Sequence, residues 1–299
     1  MPRPDRFGLS CALATPFHAD GAVDHGRLVS HVRWCLAAGC DSVTAFGTTG
    51  EGASLGLSER ERILAALKGA GIDLRAQVLG GVAATSVEDA LVQTRLLLDA
   101  RCRGVLLTPP FYFKDVSDDG LLAWFSELFG ALEGRARDVI VYNIPSVSAV
   151  ALSVELIGRL RAAFPDTIAG VKDSSGDWPY TERLLAAHRD LAILIGDERD
   201  LARGVRLGAE GAISGLANIC PDRLLPLVRA GQADERIAAL VEEVLKYPVT
   251  PAVKALVAHR AGDEAWVNVR PPLVRLDPDD AASLTGAFEA ILNAMRPRR

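Results

Sequence analysis

The chain has 299 residues, of which 49% are hydrophobic and 24% are charged. This composition provides enough apolar surface for one large buried core or two small ones. The formal net charge of −5 at pH 7 argues against nucleic acid or an anionic membrane surface as the main partner, although a local site can still bind a small anion.

The chain alternates short apolar runs with amphipathic stretches. Eight runs have the composition of buried strands, at residues 7–15, 41–46, 76–81, 104–108, 139–143, 168–172, 191–195 and 211–214. Each is followed by a helical pattern, at residues 26–38, 58–70, 86–100, 118–132, 153–164, 179–188, 199–207 and 221–230. The second helical pattern begins with a capping-box signature, in which Ser58 precedes Glu61 by three residues.

Eight strand–helix units predict a (β/α)8 TIM barrel, because continuous apolar strands suit a parallel sheet that is buried on both faces. A doubly wound open sheet is the alternative. It usually has a Gly-x-Gly-x-x-Gly turn after its first strand, and residues 12–17 (ALATPF) contain none. Residues 233–246, 251–260 and 279–295 also have helical patterns. We therefore expect a barrel domain over residues 1–231 and a C-terminal helical extension over residues 232–299.

Nothing in the sequence indicates export or a membrane span. Residues 1–17 contain too short an apolar run for a secretory signal, and no run of about twenty apolar residues occurs. The cysteines are scattered and odd in number, without a Cys-x-x-Cys pair, which favours a reducing compartment and no disulfide framework. We expect a cytoplasmic protein without membrane or nucleic-acid partners.

One lysine lies where lysine is unusual. The stretch IAGVKDSS (residues 168–175) is mostly apolar up to Lys172, and lysine is depleted in strands and rarely buried without a partner. Partial desolvation there would favour the neutral amine, which can attack a carbonyl group and form a Schiff base. The alternative is a lysine that extends from the strand end to a carboxylate such as Asp173.

Catalytic groups of a barrel come from the carboxyl ends of its strands. The second strand ends in GTTGE, where the hydroxyls of Thr48 and Thr49 and the backbone amides beside Gly47 can hold a carboxylate; an ordinary turn is the alternative. Tyr142 ends the strand before that of the lysine, and its phenol can move protons to and from a bound carbonyl compound. The alternative is a core tyrosine bonded to the backbone.

Two acidic residues, Asp197 and Glu198, follow the seventh strand. They can bind substrate hydroxyls, or they form a charged pair at a helix N-terminus beside Arg199. We expect no metal site, because none of the five histidines follows a predicted strand and no His/Cys/Asp spacing matches a zinc site. The sequence also lacks a Gly-x-Ser-x-Gly elbow and a Walker-type phosphate loop.

Four motifs, GTTGE (47–51), YNIP (142–145), GVKDSSGD (170–177) and GAISGLANICP (211–221), occur in this order on the eight units. Together they resemble the family of dihydrodipicolinate synthase and N-acetylneuraminate lyase over nearly the whole chain. The resemblance implies a class I mechanism without a metal or cofactor, in which Lys172 forms a Schiff base with pyruvate or another 2-keto acid.

The same resemblance implies roles for further residues. Tyr142 matches the tyrosine that shuttles protons, while Thr48 and Thr49 match the pair that holds the keto-acid carboxylate. Thr49 is also similar to the hydroxyl that relays protons to that tyrosine. Tyr112 lies where the family places a tyrosine that reaches a neighbouring subunit's site, which implies a homotetramer built as a dimer of dimers. Ile213 matches a position whose backbone faces the keto acid.

The candidate catalytic residues are therefore Lys172, Tyr142, Thr49 and Tyr112, and the candidate substrate-binding residues are Gly47, Thr48, Thr49, Ser174, Asp197, Glu198 and Ile213.

The residues after YNIP bear on the substrate. They are Ser146 and Val147, where the synthases have Ser-Arg with an arginine that grips the aldehyde's carboxylate, a charged contact that valine cannot make. The YNIP motif and the Asp197–Glu198 pair are more similar to the sugar-acid lyases, whereas Gly215 stands where neuraminate lyases often have serine. We expect a lyase of an N-acetylneuraminate-like or 2-keto-3-deoxy sugar acid. Dihydrodipicolinate synthase, which condenses pyruvate with aspartate semialdehyde, and a non-catalytic keto-acid-binding relative are the alternatives.

Overall fold

The computed structural model describes residues 6–293, in which eight strands form a closed barrel. The strands are β1 (Gly8–Ala12), β2 (Ser42–Ala45), β3 (Val78–Val82), β4 (Gly104–Leu107), β5 (Val139–Asn143), β6 (Ile168–Asp173), β7 (Ala192–Ile195) and β8 (Gly211–Ser214). Each strand pairs in parallel with the next, and β8 pairs with β1. The prediction of a (β/α)8 barrel is confirmed.

Helices surround the barrel in the expected order. In the described part of the chain they are α1 (His25–Ala37), α2 (Leu57–Gly69), α3 (Leu74–Gln77), α4 (Val87–Asp99), α5 (Asp118–Ala131), α6 (Pro145–Ser148), α7 (Val154–Ala163), α8 (Trp178–Ala187), α9 (Glu198–Arg206), α10 (Pro221–Ala230), α11 (Glu235–Val244), α12 (Val249–Ala261) and α13 (Pro278–Asn293). The four-residue helices α3 and α6 were not predicted. The last two residues of the final predicted helix, 294 and 295, lie outside the described residues.

The predicted capping box of α2 is wrong. The N-cap is Gly56, whose backbone N–H donates to a carboxylate oxygen of Glu59 at 3.1 Å. Glu59 is also held by the guanidinium of Arg270, which lowers the pKa of this carboxyl. Because Arg270 lies in the C-terminal extension, a long-range contact accompanies the start of this helix, and a local pattern could not reveal it.

The apolar core has two parts. The larger part lies between the barrel and the surrounding helices. The smaller part fills the barrel interior, where Phe7, Leu79, Leu106, Ile140 and Leu194 are buried. Side chains alternate between the two faces of a strand, so a strand can contribute to both parts. Across residues 6–293, β2 and β6 contribute no residue to the interior part. Polar side chains that point inward near the carboxyl end of the barrel therefore face a site instead of a helix.

Helix α12 of the extension packs tightly against the rest of the chain, and all its residues from 250 to 258 are buried. The division at residue 231 stays a prediction. Within the described residues, no helix is both long enough and apolar enough to cross a membrane.

Candidate active site

Lys172 and Tyr142 lie side by side on β6 and β5, where they are paired in the sheet register. Lys172 Nζ donates a hydrogen bond to Tyr142 Oη at 3.0 Å and lies 4.2 Å from the centroid of the phenol ring. The two residues are 5% and 3% exposed, so little of either side chain is open to bulk solvent.

Asp173 does not take part in this contact. Its carboxylate accepts hydrogen bonds from Asn143 Nδ2 at 3.0 Å and from Thr181 Oγ1 at 2.6 Å. The strand alternation sends Asp173 toward the helices while the lysine points into the barrel. The hydrogen bond of the lysine therefore goes to a phenol and not to the adjacent carboxylate.

A cavity of about 220 Å³ opens beside the amine at the carboxyl end of the barrel. Eight candidate residues line it: Thr48, Thr49, Tyr142, Lys172, Ser174, Asp197, Glu198 and Ile213. Gly47 instead lines a neighbouring cavity of about 480 Å³. Tyr112 lines neither of these cavities; it is 74% exposed and packs edge-to-face on Phe113, with 5.4 Å between the ring centroids.

The GTTGE turn that carries Thr48 and Thr49 is held in an uncommon conformation. Phe46 and Glu51, which flank the two threonines, have φ values of +62° and +53° in the left-handed region. The turn also requires glycine at position 52, because a Cβ there would lie 1.8 Å from the carbonyl oxygen of Phe46. Such geometry persists only where the surroundings enforce it.

One of the enforcing residues is Arg60, which is buried beneath the turn. Its guanidinium donates to the carbonyl oxygens of Gly52 at 2.6 Å and Gly81 at 2.8 Å, and it lies over the ring of Phe46. Burial lowers the pKa of Arg60 to about 10. The charge thus binds backbone carbonyls of the turn and of β3 instead of solvent.

The second enforcing contact is a buried ion pair between the turn and the C-terminal extension. Lys254 Nζ of α12 lies 2.6 Å from Glu51 Oε1, and both side chains have no exposed surface. Lys254 also donates to the carbonyl oxygen of Thr15 at 2.9 Å, and Glu51 accepts from the backbone N–H of Arg270 at 2.8 Å. Burial lowers the pKa of Lys254, and the Glu51 carboxylate opposes that effect. The extension thereby fixes the turn that carries the two threonines.

The two carboxylates after β7 are held by protein groups. Asp197 is the N-cap of α9, accepting from the backbone N–H of Arg199 at 3.0 Å and pairing with its guanidinium at 2.7 Å. Glu198 is buried, accepts a hydrogen bond from Ser214 Oγ, and has a raised pKa because of that burial. Both residues line the cavity, and Asp197 also has the helix-terminal contacts of the alternative interpretation.

Sequence reasoning missed one wall of the cavity. Five aliphatic residues of the C-terminal extension line it: Val241, Val244, Leu245, Val249 and Val253. The amphipathic pattern of α11 and α12 indicated an apolar face, but not which part of the chain that face contacts. Sequence reasoning also missed Lys254, since its partner Glu51 lies about two hundred residues earlier. Within the described residues, no group of three or more His, Cys, Asp or Glu side chains is arranged to hold a metal ion.

Comparisons with known proteins agree with this architecture. Residues 6–291 match the model of the "Dihydrodipicolinate synthetase family". A protein of Chloroflexus aurantiacus named "Uncharacterized DapA-like lyase" is 33% identical, in an alignment that covers 97% of this chain and 98% of that protein.

Two solved structures are also similar. The crystal structure of dihydrodipicolinate synthase from Agrobacterium tumefaciens has 56% identity and a TM-score of 0.95, and the match covers 96% of this chain and 100% of that one. YagE of E. coli K12, solved in complex with pyruvate, has 22% identity and a TM-score of 0.86 over 95% of this chain and 98% of that one, and this likeness concerns the fold alone. The match over nearly the whole length shows that the chain belongs to the dihydrodipicolinate synthetase family and is an enzyme of its class I lyase and aldolase type.

Proposed function

We propose that the chain forms a Schiff base between Lys172 and pyruvate or another 2-keto acid, and that it makes or breaks a carbon–carbon bond next to that adduct. The observation that carries the proposal is the 3.0 Å contact between Lys172 Nζ and Tyr142 Oη beside a cavity that Thr48 and Thr49 also line. An amine and a proton carrier within hydrogen-bond reach are what Schiff-base formation requires.

The proposed steps follow from the positions of these groups. The hydroxyls of Thr48 and Thr49 hold the keto-acid carboxylate, with its carbonyl carbon toward Lys172 Nζ. The amine attacks that carbon, and the carbonyl oxygen leaves as water after proton transfers through Tyr142. As the C4 hydroxyl loses its proton to Tyr142, the bond between C3 and C4 breaks and the iminium accepts the electron pair, which gives an enamine and an aldehyde. The enamine then takes up a proton at C3 and becomes an iminium again. Hydrolysis of that iminium releases the keto acid and restores the lysine, so the cycle needs no resident cofactor.

For the second substrate, we propose a sugar acid of the N-acetylneuraminate or 2-keto-3-deoxy type. Asp197 and Glu198 line the cavity and supply acceptors for hydroxyl groups. Val147 lines the same cavity at the position where a carboxylate-binding arginine would serve the synthase reaction. The synthase remains the second candidate, because the 56% identical Agrobacterium tumefaciens structure is named dihydrodipicolinate synthase.

We also propose that the enzyme works as a cytoplasmic homotetramer in which Tyr112 completes the site of a neighbouring subunit. Tyr112 and Phe113 are 74% and 73% exposed, an unusual state for two adjacent aromatic residues. If a neighbouring subunit covers these two rings, the phenol of Tyr112 lies against that subunit. Sedimentation of the full chain measures the assembly, and a monomer with full activity would contradict this part of the proposal.

The reaction is tested by trapping. Incubation with pyruvate and borohydride should leave a reduced adduct on Lys172 that peptide mass spectrometry identifies. Lys172→Arg should abolish the adduct. Lys246→Arg should not, because that lysine is exposed and pairs with Glu243 away from the cavity. An unmodified Lys172 would overturn the proposal, and an adduct without turnover of any aldehyde or sugar acid would support the non-catalytic alternative.

The substrate is tested separately. Pyruvate release from N-acetylneuraminate and from 2-keto-3-deoxy acids should exceed the rate of condensation of pyruvate with aspartate semialdehyde. The opposite ranking would favour the synthase, and then Val147→Arg should raise the rate with aspartate semialdehyde further.

A further inference from the structure

Five arginine side chains line one cavity of about 450 Å³ at the opposite end of the barrel from Lys172: Arg75, Arg101, Arg103, Arg135 and Arg137. They come from three places that precede strands, namely α3 before β3, the turn before β4, and the segment between α5 and β5. The barrel brings these three segments together because the amino ends of neighbouring parallel strands share one edge.

The positive charge in this cavity, which we call the arginine cavity, is poorly compensated. Asp138 is the one carboxylate among its lining residues. Arg135 pairs with Asp99, which lies outside the lining. Within residues 6–293, the side chains of Arg75, Arg101 and Arg137 make no hydrogen bond or ion pair. Several guanidinium groups around one space, in a chain of net charge −5, produce a local field that attracts anions.

Arg103 anchors the inner wall of the arginine cavity. It is partly buried, donates to the carbonyl oxygen of Phe7 at 3.2 Å, and lies over the Phe7 ring, 4.8 Å from its centroid. Burial lowers the pKa of Arg103, and the nearby Asp41 opposes this effect only in part. A partly desolvated guanidinium without a directly bonded carboxylate gains more from an incoming anion than one that is fully solvated.

We infer that the arginine cavity binds a small anion with several phosphate charges, either free or esterified. Guanidinium groups bind phosphate oxygens in pairs of parallel hydrogen bonds, and the three guanidinium groups without a partner in the described part of the chain, together with Arg103, suit more than one phosphate group. A volume of about 450 Å³ lies in the range of small-ligand sites. The site is separate from the keto-acid cavity, so this inference does not depend on the proposed reaction.

Calorimetric titration of the full chain with inorganic pyrophosphate tests the inference. Saturating pyruvate is present throughout to occupy the other anion site. One saturable binding event per chain is expected, and the double substitution Arg75→Gln with Arg137→Gln should weaken it at least tenfold. Both residues are exposed, so their loss should leave the fold intact. Arg159→Gln is the matched control, because this exposed arginine pairs with Asp119 elsewhere.

Hydrogen exchange gives a second measurement, in which pyrophosphate should protect residues 101–103 and 135–138. A parallel titration with ATP distinguishes free from esterified phosphate. Equal affinity for ATP and pyrophosphate indicates that the cavity binds phosphate groups alone. Tighter binding of ATP indicates that the cavity binds a nucleotide. Absence of saturable pyrophosphate binding, equal binding by the double variant, or binding of duplex DNA alone would overturn the inference.

Discussion

Replacement of Lys254 by methionine tests how strongly the C-terminal extension holds the GTTGE turn. Methionine keeps most of the length and apolar volume of lysine but removes its charge. The Glu51 carboxylate would then stay fully buried without the cation that lies 2.6 Å from it. Removal of one partner from a buried pair costs about 3–5 kcal/mol. That is a large fraction of the roughly 5–15 kcal/mol by which folded proteins are stable.

Urea unfolding followed by circular dichroism measures this loss. Lys254→Met should lower the midpoint without changing the slope, and Lys254→Met with Glu51→Gln should recover part of the loss because no uncompensated charge remains. Lys246→Met, which removes an exposed lysine paired with Glu243, is the control and should cost less than about 1 kcal/mol.

The same variant should act on the site through Thr48 and Thr49. If the ion pair keeps these hydroxyls aligned, Lys254→Met should raise the KM for pyruvate more than it lowers kcat. A stability loss as small as that of Lys246→Met would contradict this role of the ion pair, because loss of the cation at hydrogen-bond distance leaves the buried Glu51 carboxylate poorly compensated.

Three further outcomes are expected. Tyr142→Phe should lower kcat by about 10²–10⁴-fold in steady-state kinetics, because the proton carrier is lost. Circular dichroism should show a folded protein, because the ring stays buried, and a rate near that of the parent enzyme would contradict this role. Burial raises the pKa of Glu198 in the folded protein. At pH values between the ordinary glutamate pKa and this raised pKa, the folded state therefore binds more protons than the unfolded state. The free energy of unfolding should fall as the pH rises through the pKa of the folded state. Glu198→Gln should therefore be more stable than the parent near pH 8 and lose that advantage near pH 4 in thermal melts, whereas a constant difference would exclude this titration. Leu194→Ala should cost about 2–5 kcal/mol in urea unfolding because Leu194 is fully buried inside the barrel, and a cost below about 1 kcal/mol would mean that the interior repacks.

Much of the fold could be predicted because each unit repeats the same local pattern. The apolar run of residues 139–143 and the turn chemistry after it place Tyr142 at a strand end without any knowledge of the neighbours. Once the order of eight units indicates a barrel, Lys172 on the next strand must lie beside Tyr142, since consecutive strands pair. The central contact of the site therefore follows from periodicity and topology together.

The contacts that support this site could not be predicted in the same way. Lys254 and Glu51 have ordinary local surroundings, and only the folded chain brings them together. The Arg270 contact that holds Glu59 at the start of α2 joins distant segments, and the aliphatic residues that line the cavity depend on how α11 and α12 dock. The five arginines of the arginine cavity lie in three separate segments, so no local pattern marks them as one site.

The most direct test of the proposed reaction is a crystal structure of the chain after exposure to pyruvate. We expect continuous density from Lys172 Nζ to the former carbonyl carbon, with the carboxylate beside the hydroxyls of Thr48 and Thr49 and Tyr142 Oη next to the adduct. Pyruvate bound in the cavity without a bond to Lys172, or with its carboxylate away from the GTTGE turn, would contradict it.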